Sequence, residues 1–323
     1  MSLASFQPLK IGVVTGSRYF QPYRRAVVRT IREFGFEAEG FDNIEYDYRP
    51  DGFLIIGAHL FSQKPPRYHR DFMFAGIQTE QFPTPEAGNL SFGRERVEVF
   101  RRYVRHFDWV FDWNPINVRT YGRRYPGLVF CPFGYFTELD YYDPAQPEEE
   151  YDLMFLGAPT GIDDRRARVL AELEKYYRVY PEYEGLWKES KKNRALHAKI
   201  CLNLHFDHGF SCEAPRMFEF LANTRFVLSE KMADPYPFRD GIDFASCYVA
   251  KLRKRIDHFL EHPEERARIA AAGAARAGEF PLSRSVELIL NRFQVEREAR
   301  KEMGYVRRDE WFHRTGWRWM KRW

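Results

Sequence analysis

Three arginines follow a glycine-bounded turn in the second half of the chain: Gly157-Ala-Pro-Thr-Gly161 runs on to Arg165, Arg166 and Arg168. Glycines admit close backbone approach, a helix N-terminus offers unpaired N–H groups, and arginine adds a bidentate charge, so the group suits a diphosphate. Gly-x-x-x-Gly is not a nucleotide fingerprint, and spacing alone leaves an ordinary strand-to-helix turn with a solvated basic face as the default. Gly12-x-x-x-Gly16 is a weaker signal of the same kind. The most specific segment is Ser211-Cys-Glu-Ala-Pro-Arg-Met-Phe-Glu-Phe-Leu-Ala-Asn223. Pro215 suits the first turn of a helix that starts at Ser211 or Glu213, with Met217, Phe218, Phe220 and Leu221 packed inward. Glu219, one turn after Pro215, can accept hydrogen bonds from both hydroxyls of a ribose, because a carboxylate fork matches a vicinal diol. The plain alternative is an Arg216–Glu219 surface pair at i,i+3.

His205-Phe-Asp207-His208 and Cys212 are metal-ligand types, but their spacing matches no standard zinc pattern. They read instead as pocket lining, His205 included, or as satisfied polar groups at a strand end, and no metal is expected. Cys131, Cys201, Cys212 and Cys247 form no Cys-x-x-Cys pair and read as reduced thiols.

These groups need a scaffold of parallel strands. Lys10–Gly16, Phe36–Phe41, Gly52–Ala58, Phe72–Ile77 and Trp109–Asp112 read as strands, with helices from Pro22 to Gly35 and over Arg94–Phe107. Uninterrupted apolar runs alternating with amphipathic helices describe a sheet covered on both faces. Glu-Leu-Asp-Tyr-Tyr-Asp-Pro-Ala-Gln-Pro-Glu-Glu-Glu (138–150) reads as a linker. A second α/β series follows: strands at Tyr151–Leu156, Ile200–Phe206 and Arg225–Ser229, and helices after Asp163 or Asp164, at Arg216–Ala222, at Lys251–Leu260 and at Glu264–Glu279. The expected domains are 1–140, a linker 141–150, 151–280 and a terminal helix with tail, 281–323. The fold class is α/β, two Rossmann-like doubly wound domains facing across a cleft, where ligands of such folds bind.

Apolar residues make up 44% and charged residues 30% of the 323, which excludes a wholly disordered chain. The longest uncharged stretches, 52–63 and 125–137, are too short to span a bilayer. The first ten residues lack the basic start and apolar block of a signal peptide, so a cytoplasmic location is expected. Of 50 Lys/Arg and 46 Asp/Glu, seven and three fall in 301–323, so the body is neutral and the excess charge lies in the tail.

The segments RMFEFLANTRFVLSEKMADPYPF and KLRKRIDHFLEHPEERARIAAAG resemble the C-terminal half of GT-B glycosyltransferases, particularly the group with CgeB-like domains. FLGAPTGIDDRRARVLAEL and ICLNLHF stand in the order that family shows, and the resemblance covers roughly 150–280. It implies a nucleotide-diphosphate sugar as donor, held mainly by the second domain, and a place in glycan assembly at the cell envelope. On that reading Glu219 holds the donor ribose, while Arg216, the 211–215 helix start, Gly157 and Arg165 or Arg166 face the diphosphate. No separate cofactor is implied, and the absence of an Asp-x-Asp pair fits a metal-independent enzyme. The acceptor is a hydroxyl of a glycan, a lipid-linked molecule or a protein. An inverting enzyme needs a general base, for which the first domain offers His59 and Glu80, with His59 preferred because imidazole titrates near working pH. Two departures stand out: Ser211 replaces the first acid of the Glu-x7-Glu pair of retaining members, and Asn223-Thr224 replaces a small residue and glycine. They leave stereochemistry open, and they keep a non-catalytic binding protein as the alternative, with an epimerase as a third reading.

The tail, Trp311 to Trp323, interleaves four tryptophans with cations. It is expected to pack back on the first domain. Peripheral membrane contact is the next reading, and nucleic acid is not expected, because the neutral body offers no phosphate-tracking surface.

Overall fold

The computed structural model of the chain describes residues 8–57, 72–82, 98–101, 104–143, 145, 151–157, 164–180, 196–205 and 212–302. It has two compact units, Met1–Pro132 with Leu282–Trp323, and Phe133–Pro281.

In the first unit, β1 (Lys10–Val14), β2 (Glu37–Phe41), β3 (Gly52–Ile56), β4 (Met73–Gln78), β5 (Trp109–Asp112) and β6 (Leu128–Phe130) form one parallel sheet. Their order is β2-β1-β3-β4-β5-β6, so the winding reverses between β1 and β3. The runs in β3, β4 and β5 are buried along their whole length, as strands covered on both faces must be. β2 sits at the edge and exposes Glu37 and Glu39, charges that discourage pairing with another chain. Helix α1 (Gln21–Glu33) buries Tyr23, Ala26, Val27 and Ile31, and Gly35 takes φ +82° just beyond its end.

Of the helix expected over 94–107, residues 98–101 are helical and a 3₁₀ turn occupies Val104–His106, while 94–97 lie outside the described residues. Helix α2 (Pro115–Tyr121) and β6 were not expected. Asn-Pro pairs commonly mark turns. Here the Asn114 side chain accepts the Ile116 N–H at 2.9 Å, and the proline opens the helix.

In the second unit, β7 (Leu153–Phe155), β8 (Ile200–Asn203), β9 (Val227–Glu230) and β10 (Ala245–Cys247) form a parallel sheet ordered β10-β9-β8-β7. A parallel bridge from Val179 to Leu153 adds a position beyond β7. With that position counted, the winding repeats that of β2-β1-β3-β4-β5, and its reversal falls between β7 and β8. β10 is three residues long and was missed for that reason. Helices α3 (Arg165–Glu174), α4 (Ala214–Ala222), α5 (Leu252–Glu261) and α6 (Pro263–Gly278) are the unit's α-helices among the described residues. Asp164 stands at the α3 start with φ +51° and makes no capping hydrogen bond; Asp163 lies outside the described residues. The segment read as a linker begins inside this unit, since Tyr141 and Tyr142 bond to Asn223.

Helix α7 (Leu282–Glu302) belongs to the first unit. Phe293 meets Trp109 edge-on at 5.0 Å, and a Cβ on Gly52 would lie 2.5 Å from the Phe293 ring, so glycine admits the helix. Arg300 clamps the far end, pairing with Asp108 at 2.8 Å and Glu296 at 3.1 Å and donating to the Phe72 carbonyl at 3.2 Å. Helix α7 therefore packs within the first unit, whereas the tail, for which packing on the first domain was expected, lies outside the described residues.

Candidate functional site

Ligands of open parallel sheets bind beyond the carboxyl ends of the strands, where the winding reverses. In the second unit that place is the ends of β7 and β8, and the sequence puts there an apolar strand finishing in Leu156-Gly157 and another finishing in Asn203-Leu204-His205. Arg216, on the first turn of α4, brackets the two. Its Nε donates to the Leu156 carbonyl at 2.8 Å, and its Nη1 donates to Asn203 Oδ1 at 2.7 Å and the Leu204 carbonyl at 3.3 Å. Arg166, on the first turn of α3, donates from Nε to the same Leu204 carbonyl at 3.0 Å. Both guanidinium groups lie over the Phe155 ring, at 5.3 Å for Arg166 and 5.1 Å for Arg216, a cation–π arrangement that burial strengthens. Gly157 adopts φ +142°, and a Cβ there would lie 2.9 Å from Arg216 Nη2. The glycine thus makes room for the arginine.

Glu213 joins the two arginines: Arg166 Nη2 reaches one carboxylate oxygen at 3.1 Å and Arg216 Nη2 the other at 3.1 Å. The i,i+3 alternative is thereby corrected, because Arg216 pairs with the carboxylate three residues before it, not with Glu219 three residues after. Burial pushes the Arg166 pKa down to about 10; Glu213 opposes the shift and Arg216 adds to it.

Arg165, one position earlier on α3, turns to Glu230 at the end of β9. Its Nη1 donates to Glu230 Oε2 at 2.9 Å, and its Nη2 pairs with Glu230 Oε1. The same Oε2 accepts the backbone N–H of His205 at 2.6 Å, and the His205 carbonyl accepts Arg165 Nη1 at 3.3 Å. His205 is 5% exposed, and burial holds its pKa below the usual imidazole range. Among the described residues the cluster therefore carries three arginines against two glutamates, a net positive charge suited to an anion.

Glu219 points elsewhere: its Oε1 accepts the Tyr141 phenol at 2.6 Å. Burial and the adjacent carboxylate raise the Tyr141 pKa far above the phenol range. Asn223, one turn on, fixes the same segment. Its Oδ1 accepts the N–H groups of Tyr141 at 2.9 Å and Tyr142 at 2.7 Å, and its Nδ2 donates to the carbonyls of Leu139 and Glu219 at 2.6 Å each. The residue that departs from the family pattern is thus a buried staple.

In the first unit, the Glu80 carbonyl accepts Gln78 Nε2 at 3.0 Å and Asn117 Nδ2 at 2.9 Å. Beside them Asp112, fully buried at the end of β5, accepts Asn114 N–H at 2.7 Å and Asn117 Nδ2 at 3.0 Å, and burial raises its pKa well above the carboxylate range. His59, Ser211, Asp207 and His208 lie outside the described residues. The structure thus gathers Gly157, Arg165, Arg166, His205 and Arg216 in one place. Glu219 bonds to the 139–142 segment, and Glu80 belongs to the other unit. Sequence reasoning missed Glu230 and Asn203, whose signal was a buried polar residue closing a strand. Among the described residues no group of three or more His, Cys, Asp or Glu is placed to hold a metal, and no helix is long and apolar enough to cross a membrane.

Residues 162–306 match the family described as glycosyl transferase-like. No curated protein matches the chain in sequence. Among solved structures, sucrose-phosphate synthase from Thermosynechococcus elongatus is similar with a TM-score of 0.61 at 11% identity, covering 90% of this chain and 100% of that one. HepE of Anabaena in complex with UDP and glucose gives a TM-score of 0.57 at 9% identity over 88% and 98% of the two chains. A UDP-N-acetylglucosamine 2-epimerase gives 0.53 at 10% identity over 91% and 98%. These likenesses identify the fold, and the family match includes the three arginines: the chain has the GT-B fold, and its residues 162–306 are similar to the glycosyl transferase-like family.

Proposed function

We propose that the chain transfers a sugar from a nucleotide-diphosphate donor to a hydroxyl acceptor, and that the second unit binds the donor. The observation that carries this reading is the net-positive cluster of Arg165, Arg166 and Arg216 at the winding reversal of a parallel sheet, in a glycosyl transferase-like domain. HepE, whose structures contain UDP, glucose and UDP-glucose, has this fold and supports the same donor class. In the reaction the acceptor oxygen bonds to the anomeric carbon, the bond to the diphosphate breaks, and the hydroxyl proton passes to a base. His59 and Glu80 are the candidate bases. Arg166 and Arg216 provide the charge that the leaving diphosphate needs, so the reading is metal-independent. The CgeB-like grouping rests on the Arg216-Met-Phe-Glu219 helix, and Glu219 remains the ribose candidate. A glycan, a lipid or a protein as acceptor, cytoplasmic location and tail-mediated membrane contact belong to the same proposal.

The test is a thermal-shift panel with UDP, GDP, CDP, ADP and dTDP, followed by release of the diphosphate from the matching sugar nucleotide. Ligand at about a hundred times its Kd adds about 2.7 kcal/mol of stability. A shift with one nucleotide, lost in Arg216→Ala and accompanied by turnover, supports the reading. No shift with any of the five in a folded sample moves it to the non-catalytic binding protein, and conversion of the sugar nucleotide to its epimer without net diphosphate release moves it to the epimerase.

A further inference from the structure

His205 ends β8 with a ring that is 5% exposed and an Nε2 that has no hydrogen-bond partner. A buried polar atom left unpaired is costly, and this one stands at a strand end among Glu213, Glu230, Arg165 and Arg216. The backbone beneath the ring is over-determined by contrast. Glu230 Oε2 accepts both the His205 N–H at 2.6 Å and Arg165 Nη1 at 2.9 Å, while Arg165 Nη1 also donates to the His205 carbonyl at 3.3 Å. Three groups close one ring of hydrogen bonds, and the second Arg165–Glu230 contact locks it. Glu230 is itself 4% exposed, so this ring is held away from competing water.

This arrangement gives Arg165 a different task from Arg166 and Arg216. Its fork is bound to a buried carboxylate, so its charge is offset at the site. The ring of His205, kept neutral by burial, brings no charge either. A neutral nitrogen offering one hydrogen bond suits a hydroxyl better than a phosphate, which the paired arginines over Phe155 already suit. Resting on the proposed donor site, we propose that Glu230 is a positioning residue which, with Arg165, fixes the His205 backbone so that His205 Nε2 hydrogen-bonds a hydroxyl of the donor's sugar.

The experiment is calorimetric titration of the nucleoside diphosphate that binds in the five-nucleotide panel, and of its glucose conjugate, to the full chain. The readout is the ratio of the two dissociation constants. His205→Ala is expected to lower the preference for the conjugate about 5- to 10-fold, the scale of one lost hydrogen bond, with little change for the free diphosphate. Glu230→Gln is expected to lower it by a similar factor, and the double variant by no more than either alone. Arg165→Lys keeps a cation but loses the fork, serves if Glu230→Gln does not fold, and is expected to fall between. Parallel weakening of both ligands, or an unchanged ratio in Glu230→Gln and Arg165→Lys, overturns the inference and leaves the donor site standing. Failure of all five nucleotides to bind the wild type removes the donor site and the inference with it.

Discussion

Arg166 and Arg216 share one aromatic face and one carboxylate: both lie over Phe155, and each takes one oxygen of Glu213 at 3.1 Å. Among the described residues, two buried cations share one half-buried anion. In Glu213→Gln the repulsion between the guanidinium groups is no longer offset. Loss of a charged partner of this kind costs about 1–3 kcal/mol, a fall of several degrees in Tm. Pyrophosphate is expected to restore stability in the variant and to raise its Tm more than that of the wild type. Equal shifts in the two proteins would show that the arginines do not face the anion.

Asn223 and Thr224 stand where the resembling family has a small residue and glycine, and the structure gives them opposite values. Asn223 is buried and satisfies four backbone groups of 139–142 and α4. Asn223→Ala leaves those groups unpaired, for a loss of about 2–4 kcal/mol, and Asn223→Asp, which keeps the acceptor but not the donors, falls short of it. Thr224 is exposed at φ +54°, a left-handed conformation unfavourable for a β-branched side chain. Thr224→Gly is expected to stabilise by about 0.5–1 kcal/mol. Urea unfolding of the three variants checks both halves; destabilisation by the glycine would refute the strain.

Asp112 carries a pH signature. Its pKa in the folded protein is raised well above 3.8 because burial penalises the charged form more than Asn114 and Asn117 help it. The folded state therefore holds the proton more tightly than the unfolded state. The contribution to stability is complete below about pH 3.8 and is lost as pH rises from there through the folded pKa. Subtracting the Asp112→Asn profile from the wild-type unfolding free energy is expected to leave a term that falls as pH rises above 4. A flat or rising difference would contradict a protonated Asp112 in the folded state.

Strands and helices with strong patterns were legible because burial on both faces leaves uninterrupted apolar runs, as in β3, β4 and β5. Elements set by capping or a single short pairing were not: Asn114 converts a turn-like Asn-Pro into the start of α2, and β10 has only three residues. The arginines of the site could be read from the Gly157 turn and the Pro215 helix. Their carboxylate partners could not, since Glu213–Arg166 and Glu230–Arg165 join residues 47 and 65 positions apart. Long-range ion pairs have no local pattern.

Gly157 allows the two demands on the site to be separated. Its φ of +142° penalises any side chain, and a Cβ there would also press on Arg216 Nη2 at 2.9 Å. The first cost, about 1–3 kcal/mol, persists whatever stands at 216. The second depends on the guanidinium. In Arg216→Lys the two-nitrogen fork is gone, and a methyl group at 157 meets a slimmer, more flexible neighbour. A double-mutant cycle of Gly157→Ala with Arg216→Lys, measured by urea unfolding, is therefore expected to be non-additive by about 0.5 kcal/mol or more, with Gly157→Ala costing less in the lysine background. Strict additivity would mean that glycine is needed at 157 for its backbone angle alone, and that the arginine bracket is independent of the turn.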